Sequence, residues 1–334
     1  MDQGLVLVAA VVVLGLVFEY VNGFHDAANA IATVVATRVL SPAQAIAMAG
    51  ALNFVGALSG EAVAKTLGAG IVDSAVVTQD LVVAALLAAI AWDVATWFFG
   101  LPTSSSHALI FGLIGATVAQ HGFGAVVGVG VEKTAFGIAY SPAIAFIGGA
   151  ALMLSLYWLL VRASFGAVNR FFGRAQIVSS AYMAFSHGGN DGQKTMGVIA
   201  LALFAYGGGV GALEIPAWVK LACALAMGIG TASGGWRIMH TMGHKITALK
   251  PVNGFAAETA AGTVIEIATR FGIPISTTHA ISGAILGVGA TRRLSAVRWG
   301  VAGSIVTAWV LTIPSCFALG YGIALAIRAV GIHP

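Results

Sequence analysis

The chain has 334 residues, of which 59% are hydrophobic and 8% charged. A soluble globular domain carries about 25% charged residues, so a water-facing surface cannot be assembled from this composition. The net charge of +4 comes with no basic run long enough to serve as a nucleic-acid-binding arm.

A membrane helix needs about 20 apolar residues, which leaves room for roughly ten spans and for no large soluble domain. Apolar stretches run at 4–21, 43–60, 81–99, 107–119, 142–161, 194–206, 216–233, 255–268, 279–290 and 297–331. Their length and their lack of alternation predict helices rather than outer-membrane strands. The first stretch follows Met1-Asp2-Gln3 with no basic leader and no small-residue cleavage site, and reads as a retained span. Directly after it comes Phe24-His25-Asp26-Ala27-Ala28-Asn29. A carboxylate in apolar surroundings costs about 2.5–3.5 kcal/mol on insertion scales, so Asp26 needs a cation, a proton or a polar partner. Asn29, three residues on, shares its helical face.

The run 81–119 is broken at Gly100-Leu101-Pro102. A bilayer tolerates such a break only where the backbone is buried in protein or lines a watery cavity, which predicts a re-entrant hairpin. After the break come Thr103, Ser104, Ser105, Ser106 and His107. Proline favours the first helical position, so Pro102 is expected to open a helix with the hydroxyls in its first turn. That turn offers free N–H groups, hydroxyl donors and the positive end of the helix dipole, which together make an anion site. Asp93, on the first arm, is read as a supporting residue.

The second half repeats this order. Gly189-Asn190-Asp191-Gly192-Gln193-Lys194 answers the first acidic motif. Gly272-Ile273-Pro274 breaks the run 255–290 and is followed by Ser276, Thr277, Thr278 and His279, with Glu258 on the arm before it. Glycines follow each histidine, at Gly112 and Gly115 and at Gly283 and Gly287. The pattern reads as a duplication: residues 1–165, residues 175–334, and a basic cytoplasmic connection at 162–176. Basic clusters at Arg162–Arg174, Arg237–Lys250 and Arg292–Arg298 contrast with the acidic segment 61–80. Placing the basic clusters in the cytoplasm puts the N-terminus outside and inverts the two repeats. The fold class expected is therefore an all-α, polytopic membrane bundle of two inverted repeats, each with a broken or re-entrant hairpin.

No nucleotide-binding loop and no His/Cys metal-ligand cluster is visible, so no cofactor is implied. Cys223 and Cys316 sit in apolar runs and read as packing residues. Ser106-His107 raises the remote alternative of an intramembrane hydrolase, but adjacent helical residues do not face each other and no nucleophile elbow is present.

With both Asp motifs and both Gly-x-Pro-x-Ser-Ser/Thr-Ser/Thr-His hairpins in view, the chain resembles the PiT-type inorganic phosphate transporters, close to the bacterial low-affinity permeases. The resemblance covers both halves. It implies a secondary transporter in the bacterial inner membrane, a homodimer surrounded by lipid, carrying inorganic phosphate with protons or sodium. It further implies a phosphate site at Thr103–Ser106 and Ser276–Thr278, and a coupling-ion site at His25, Asp26, Asn29, Asn190, Asp191 and Lys194. His107 and His279 would support it. His25 and Lys194 stand where the family pattern has Asn. A lysine on the face of Asp191 supplies its own cation, which favours protons over sodium. A sulfate permease, sodium coupling, and transport as a metal–phosphate complex stay open as alternatives.

Overall fold

The structure, a computed structural model, describes residues 3–209 and 211–331. The expected repeat ends at Met1–Asp2 and 332–334 lie outside the described residues. Described residues form helices with no named strand. Helix α1 (Gln3–His25) runs into α2 (Ala27–Ala36), and α3 (Pro42–Ala57) bends by 68° into α4 (Ala62–Gly70). Then come α5 (Gln79–Phe99), α6 (Ser105–His121) and α7 (Gly128–Leu159). The same series follows: α8 (Phe165–Tyr206), α9 (Ala217–Ser233) bent by 58° into α10 (Trp236–His240) and a π turn, then α11 (Pro251–Arg270), α12 (Thr277–Arg292) and α13 (Trp299–Ala329).

Both hairpin breaks are built the same way. Gly100 and Gly272 take φ of 66° and 62°, the left-handed region that glycine enters without a Cβ penalty. Leu101 N–H bonds the Thr96 carbonyl at 2.9 Å and Ile273 N–H bonds Ala268 at 2.8 Å, so each first arm ends in a Schellman motif. The second arms do not start at the prolines. They start at Ser105 and Thr277, because Ser104 and Ser276 accept from the N–H of His107 (3.3 Å) and His279 (3.2 Å). Starting at Pro102 or Pro274 would make Leu101 or Ile273 the cap, and neither offers an acceptor.

The two series interlock. Helix α6 of the first packs along α13 of the second, and α12 of the second packs along α7 of the first. These are glycine-mediated approaches. A Cβ on Gly115 would lie 2.1 Å from the Phe317 carbonyl oxygen, and one on Gly287 would lie 2.1 Å from that of Phe146. Without a hydrophobic drive between helices in lipid, such close backbone packing is what holds them.

Among the described residues, four helices are long and apolar enough to cross a membrane, or up to six if each bent pair is one span. This differs from ten equal apolar stretches. The helices α6 and α12 are short, and α8 and α11 carry the polar motifs inward. Helix α8 is continuous over 42 residues, about 63 Å, longer than the bilayer is thick. Of the basic stretch 162–176, only residues up to 164 are loop; Arg170 and Arg174 are helical.

Replacing Gly287 with Ala is expected to cost about 1–3 kcal/mol by overpacking. Gly303→Ala on α13, where nothing lies within 4 Å, should be neutral. Unfolding in detergent, followed by circular dichroism, reads both.

Candidate functional site

The acidic motifs and the hairpin tips meet in the interior. At the α1–α2 junction the Asp26 carboxylate caps no helix. It lies 2.6 Å from His25 Nδ1, and Thr278 Oγ1 donates to it at 3.4 Å. The other ring nitrogen of His25 is 3.1 Å from Thr96 Oγ1, which also receives a hydrogen bond from Thr103 at 2.9 Å. One turn on, Asn29 Nδ2 donates to Thr278 (2.9 Å) and Thr277 (3.3 Å), joining α2 to the start of α12.

Helix α8 brings His187, Asp191 and Lys194 to one face, by their spacings of four and three. Asp191 accepts from Thr277 Oγ1 at 2.8 Å and lies 3.2 Å from His187 Nε2. The Lys194 ammonium donates to Asp191, to Ser106 Oγ on α6 and to the Ile275 carbonyl (2.7 Å) in the second break. Its three N–H bonds are thereby used, and one buried cation ties α8 to both hairpins. Ligand atoms of Asp26, His187 and Asp191 all lie within 4.8 Å of one another, the one group among the described residues that could hold a metal ion. Sequence spacing hides this group because its members come from two helices of different repeats.

The remaining expected residues divide. Ser104 and Ser276 are the caps already described, while helix geometry leaves the N–H groups of Ser105, Ser106, Thr277 and Thr278 without intrahelical acceptors. Ser105 lies against the buried Asp93. Asn190 turns away and bonds Thr269 at 2.8 Å. The rings of His107 and His279 meet edge to face at 4.6 Å, and His279 stacks on Trp309 at 3.8 Å. They line a mostly apolar cavity of about 590 Å³ between α7, α12 and α13. Asp93 and Glu258 are not equivalent: one lies seven residues before its glycine break (100 − 93), the other fourteen (272 − 258). Glu258 instead accepts from Thr33, Ser179 and Gln176 (3.1 Å), a polar contact holding α2, α8 and α11 together.

Sequence reasoning missed His187, Asn53 and Glu19. The Nδ1–H of His187 donates to Asn53 Oδ1 (2.6 Å), which steadies its ring beside Asp191. Glu19 is fully buried in α1 and accepts from Thr195 of α8. The rule that singled out Asp26, an acid inside an apolar stretch, applies equally to Glu19.

Buried carboxylates, a buried ammonium and opposed hydroxyl-bearing helix starts, enclosed by apolar helices, define a multi-pass helical membrane transporter rather than an enzyme. Sequence comparison agrees. The profile of the phosphate transporter family matches residues 22–168 and again 161–320, and the chain belongs to that family. A probable low-affinity inorganic phosphate transporter of Rhizobium meliloti is 51% identical over 92% of this chain and 93% of its own length. One from Bacillus subtilis is 45% identical over 96% and 97%. A solved structure described as the sodium-dependent phosphate transporter superposes with a TM-score of 0.90 at 26% identity, covering 97% of this chain and all of that one.

Lys194→Met would strand Asp191 and should cost about 3–5 kcal/mol of stability. Adding Asp191→Asn should recover most of it. Denaturant titration of the two variants in detergent tests this.

Proposed function

We propose that this chain is a secondary transporter of inorganic phosphate, coupled to protons, with phosphate taken at the facing starts of α6 and α12. The observation that carries this reading is the Lys194 ammonium seated among a carboxylate, a hydroxyl and a backbone carbonyl. Such a set of oxygens suits a hard monovalent cation, and here the cation is part of the chain. A sodium ion about 4 Å away would meet a repulsion of about 4 kcal/mol at an effective dielectric of about 20. The first-half motif has no lysine. There, Asp26 is paired with His25, the one side chain whose ordinary titration falls near neutral pH. The Thr96 hydroxyl can accept from a protonated Nε2 or turn and donate to a bare one. The ring can therefore take up or release a proton in place.

Free N–H groups of the two helix starts, with the hydroxyls of Ser105, Ser106, Thr277 and Thr278, supply donors for a tetrahedral oxyanion. Phosphate can also donate to a carboxylate, which sulfate cannot; unlabelled sulfate should therefore compete poorly with labelled phosphate. The hairpins support an inverted arrangement. The first break packs on Arg237 and Thr241, while the second packs on Ala62 of α4 beside Lys133. We place Arg170 in the cytoplasm and Asp73 outside. Cysteines at these two positions, in a background without Cys223 and Cys316, should label from opposite sides.

Sodium coupling is the second reading, favoured by the solved relative, which is sodium-dependent. Labelled phosphate uptake into proteoliposomes separates the two. Uptake should rise with an inward proton gradient and ignore sodium. Asp26→Asn should abolish gradient-driven accumulation while sparing phosphate exchange, and Lys194→Asn should introduce a sodium dependence. Negligible uptake in choline medium, restored by sodium without a pH gradient, overturns proton coupling. Separately, Ser105→Ala or Thr277→Ala should weaken phosphate binding by about 0.5–1.5 kcal/mol, or up to about 3 if the lost bond is to a charged oxygen. Unchanged binding in the double variant would remove this site.

A further inference from the structure

A cavity of about 950 Å³ lies far from the central site, where the end of α7, the start of α8, the entry to α11 and the end of α12 come together. Its walls are apolar and aromatic: Leu156, Tyr157, Leu160, Phe165, Val168 and Val288. Its rim is cationic: Lys250, Arg292, Arg293 and Arg298. No acidic residue lines it. Among the described residues, no side-chain hydrogen bond or ion pair engages the three guanidinium groups, and the Lys250 ammonium rests over the Phe165 ring at 4.7 Å. The opposite end of the molecule is different. There Lys65 and Lys220 pair with Glu61, and Arg270 pairs with Glu266. Four cations with no acidic partner are thus gathered at the rim of this cavity.

We propose that this cavity binds an anionic glycerophospholipid, with its phosphodiester against Arg292, Arg293 and Arg298 and its acyl chains along α7 and Phe165. Two features select a lipid over a free anion. Most of the wall is apolar, and a hydrated ion gains nothing from such a surface. Trp158 and Leu159, next in the chain to the lining residues Tyr157 and Leu160, are 82% and 78% exposed, which puts surface suited to hydrocarbon beside the cavity. Trp and Tyr flanked by arginines mark headgroup depth, where long cationic side chains reach water while their stems stay in apolar contact. Clustered cations at that depth select anionic over zwitterionic headgroups. The bound lipid would clamp the α7–α8 connection to the end of α12, whose start carries part of the phosphate site on the proposed reading.

The test uses the full chain purified in neutral detergent. Dioleoylphosphatidylglycerol should raise its melting temperature by about 2–4 °C. Dioleoylphosphatidylcholine at matched concentration should not, and saturating inorganic phosphate, which fills the central site on the proposed reading, should leave the phosphatidylglycerol shift intact. The variant Arg292→Ala/Arg293→Ala/Arg298→Ala should lose the shift, and Arg292→Lys/Arg293→Lys/Arg298→Lys should keep it. Native mass spectrometry should show phosphatidylglycerol retained by the wild type and by the lysine variant. Equal shifts from both lipids, a phosphatidylglycerol shift abolished by saturating inorganic phosphate, or a shift that survives the alanine variant overturns the proposal. The wild-type contrast among the three additives decides the matter even if the alanine variant does not fold.

Discussion

One buried ammonium organises the interior. Lys194 lies on α8, yet its three donors reach Asp191 on its own helix, Ser106 at the start of α6 and the Ile275 carbonyl in the break before α12. A charge taken from water is tolerated only when it is paired and its hydrogen bonds are complete. Burying this lysine therefore obliges the hairpin tips to be where they are. In return, the second break gains an acceptor's partner for a carbonyl that a continuous helix would have satisfied. Around that tie the other polar groups form a chain: Lys194 to Asp191, Asp191 to Thr277, Thr277 to Asn29, Thr278 to Asp26, Asp26 to His25, and His25 to Thr96 and α5.

Such a chain needs a rigid frame, and small residues supply it. Gly115 and Gly320 let α6 lie against α13 at Phe317 and Gly112, while Gly283 and Gly287 let α12 lie against α7 at Pro142 and Phe146. In each case the hairpin arm of one series rests on the last helix of the other. The two anion-type helix starts are thus positioned by mirror-like contacts drawn from opposite halves of the chain. Neither half could build the site alone, because each supplies the wall against which the other's hairpin is seated.

Much of this was legible in the sequence where the physics is local. The Gly-x-Pro breaks, the hydroxyl runs and the duplicated order are visible because a breaker inside an apolar run has few meanings in a bilayer. The Asp191–Lys194 contact followed from a spacing of three on a helix. What the sequence hid depends on partners far along the chain. Only 194–206 of helix α8 stood out as apolar, because Ser186–Lys194 is polar; that stretch stays helical because its polarity faces Asn53, Thr277 and Ser106, not lipid. Helix α7 begins at Gly128, ahead of its apolar stretch, since Glu132 and Lys133 lie in its first turns near the end of the molecule, where Lys133 reaches the Phe271 carbonyl. The hairpin helices begin two to three residues after their prolines, because a serine cap satisfies an N–H that a preceding Leu or Ile would leave bare. Glu258 stands on the first arm of its hairpin, as Asp93 does on the other, but its three donors come from α2 and α8, which no spacing within α11 reveals.

The asymmetry between the two acidic motifs sits uneasily with the near-symmetry of the scaffold, and this bears on coupling. Symmetric contacts hold the hairpins, so a symmetric pair of ion sites would be the simplest outcome of duplication. Instead one motif carries a fixed cation beside its histidine–aspartate contact, and the other a histidine–aspartate pair alone. A fixed cation cannot leave with the substrate; it can only keep its half of the site neutral throughout the cycle. A titratable pair can change charge, and so can make the energy of the site depend on which side of the membrane it faces. On the proposed reading, the division of labour follows from this difference: the Lys194 side supplies the constant charge against which phosphate is held, and the His25–Asp26 side supplies the charge that changes.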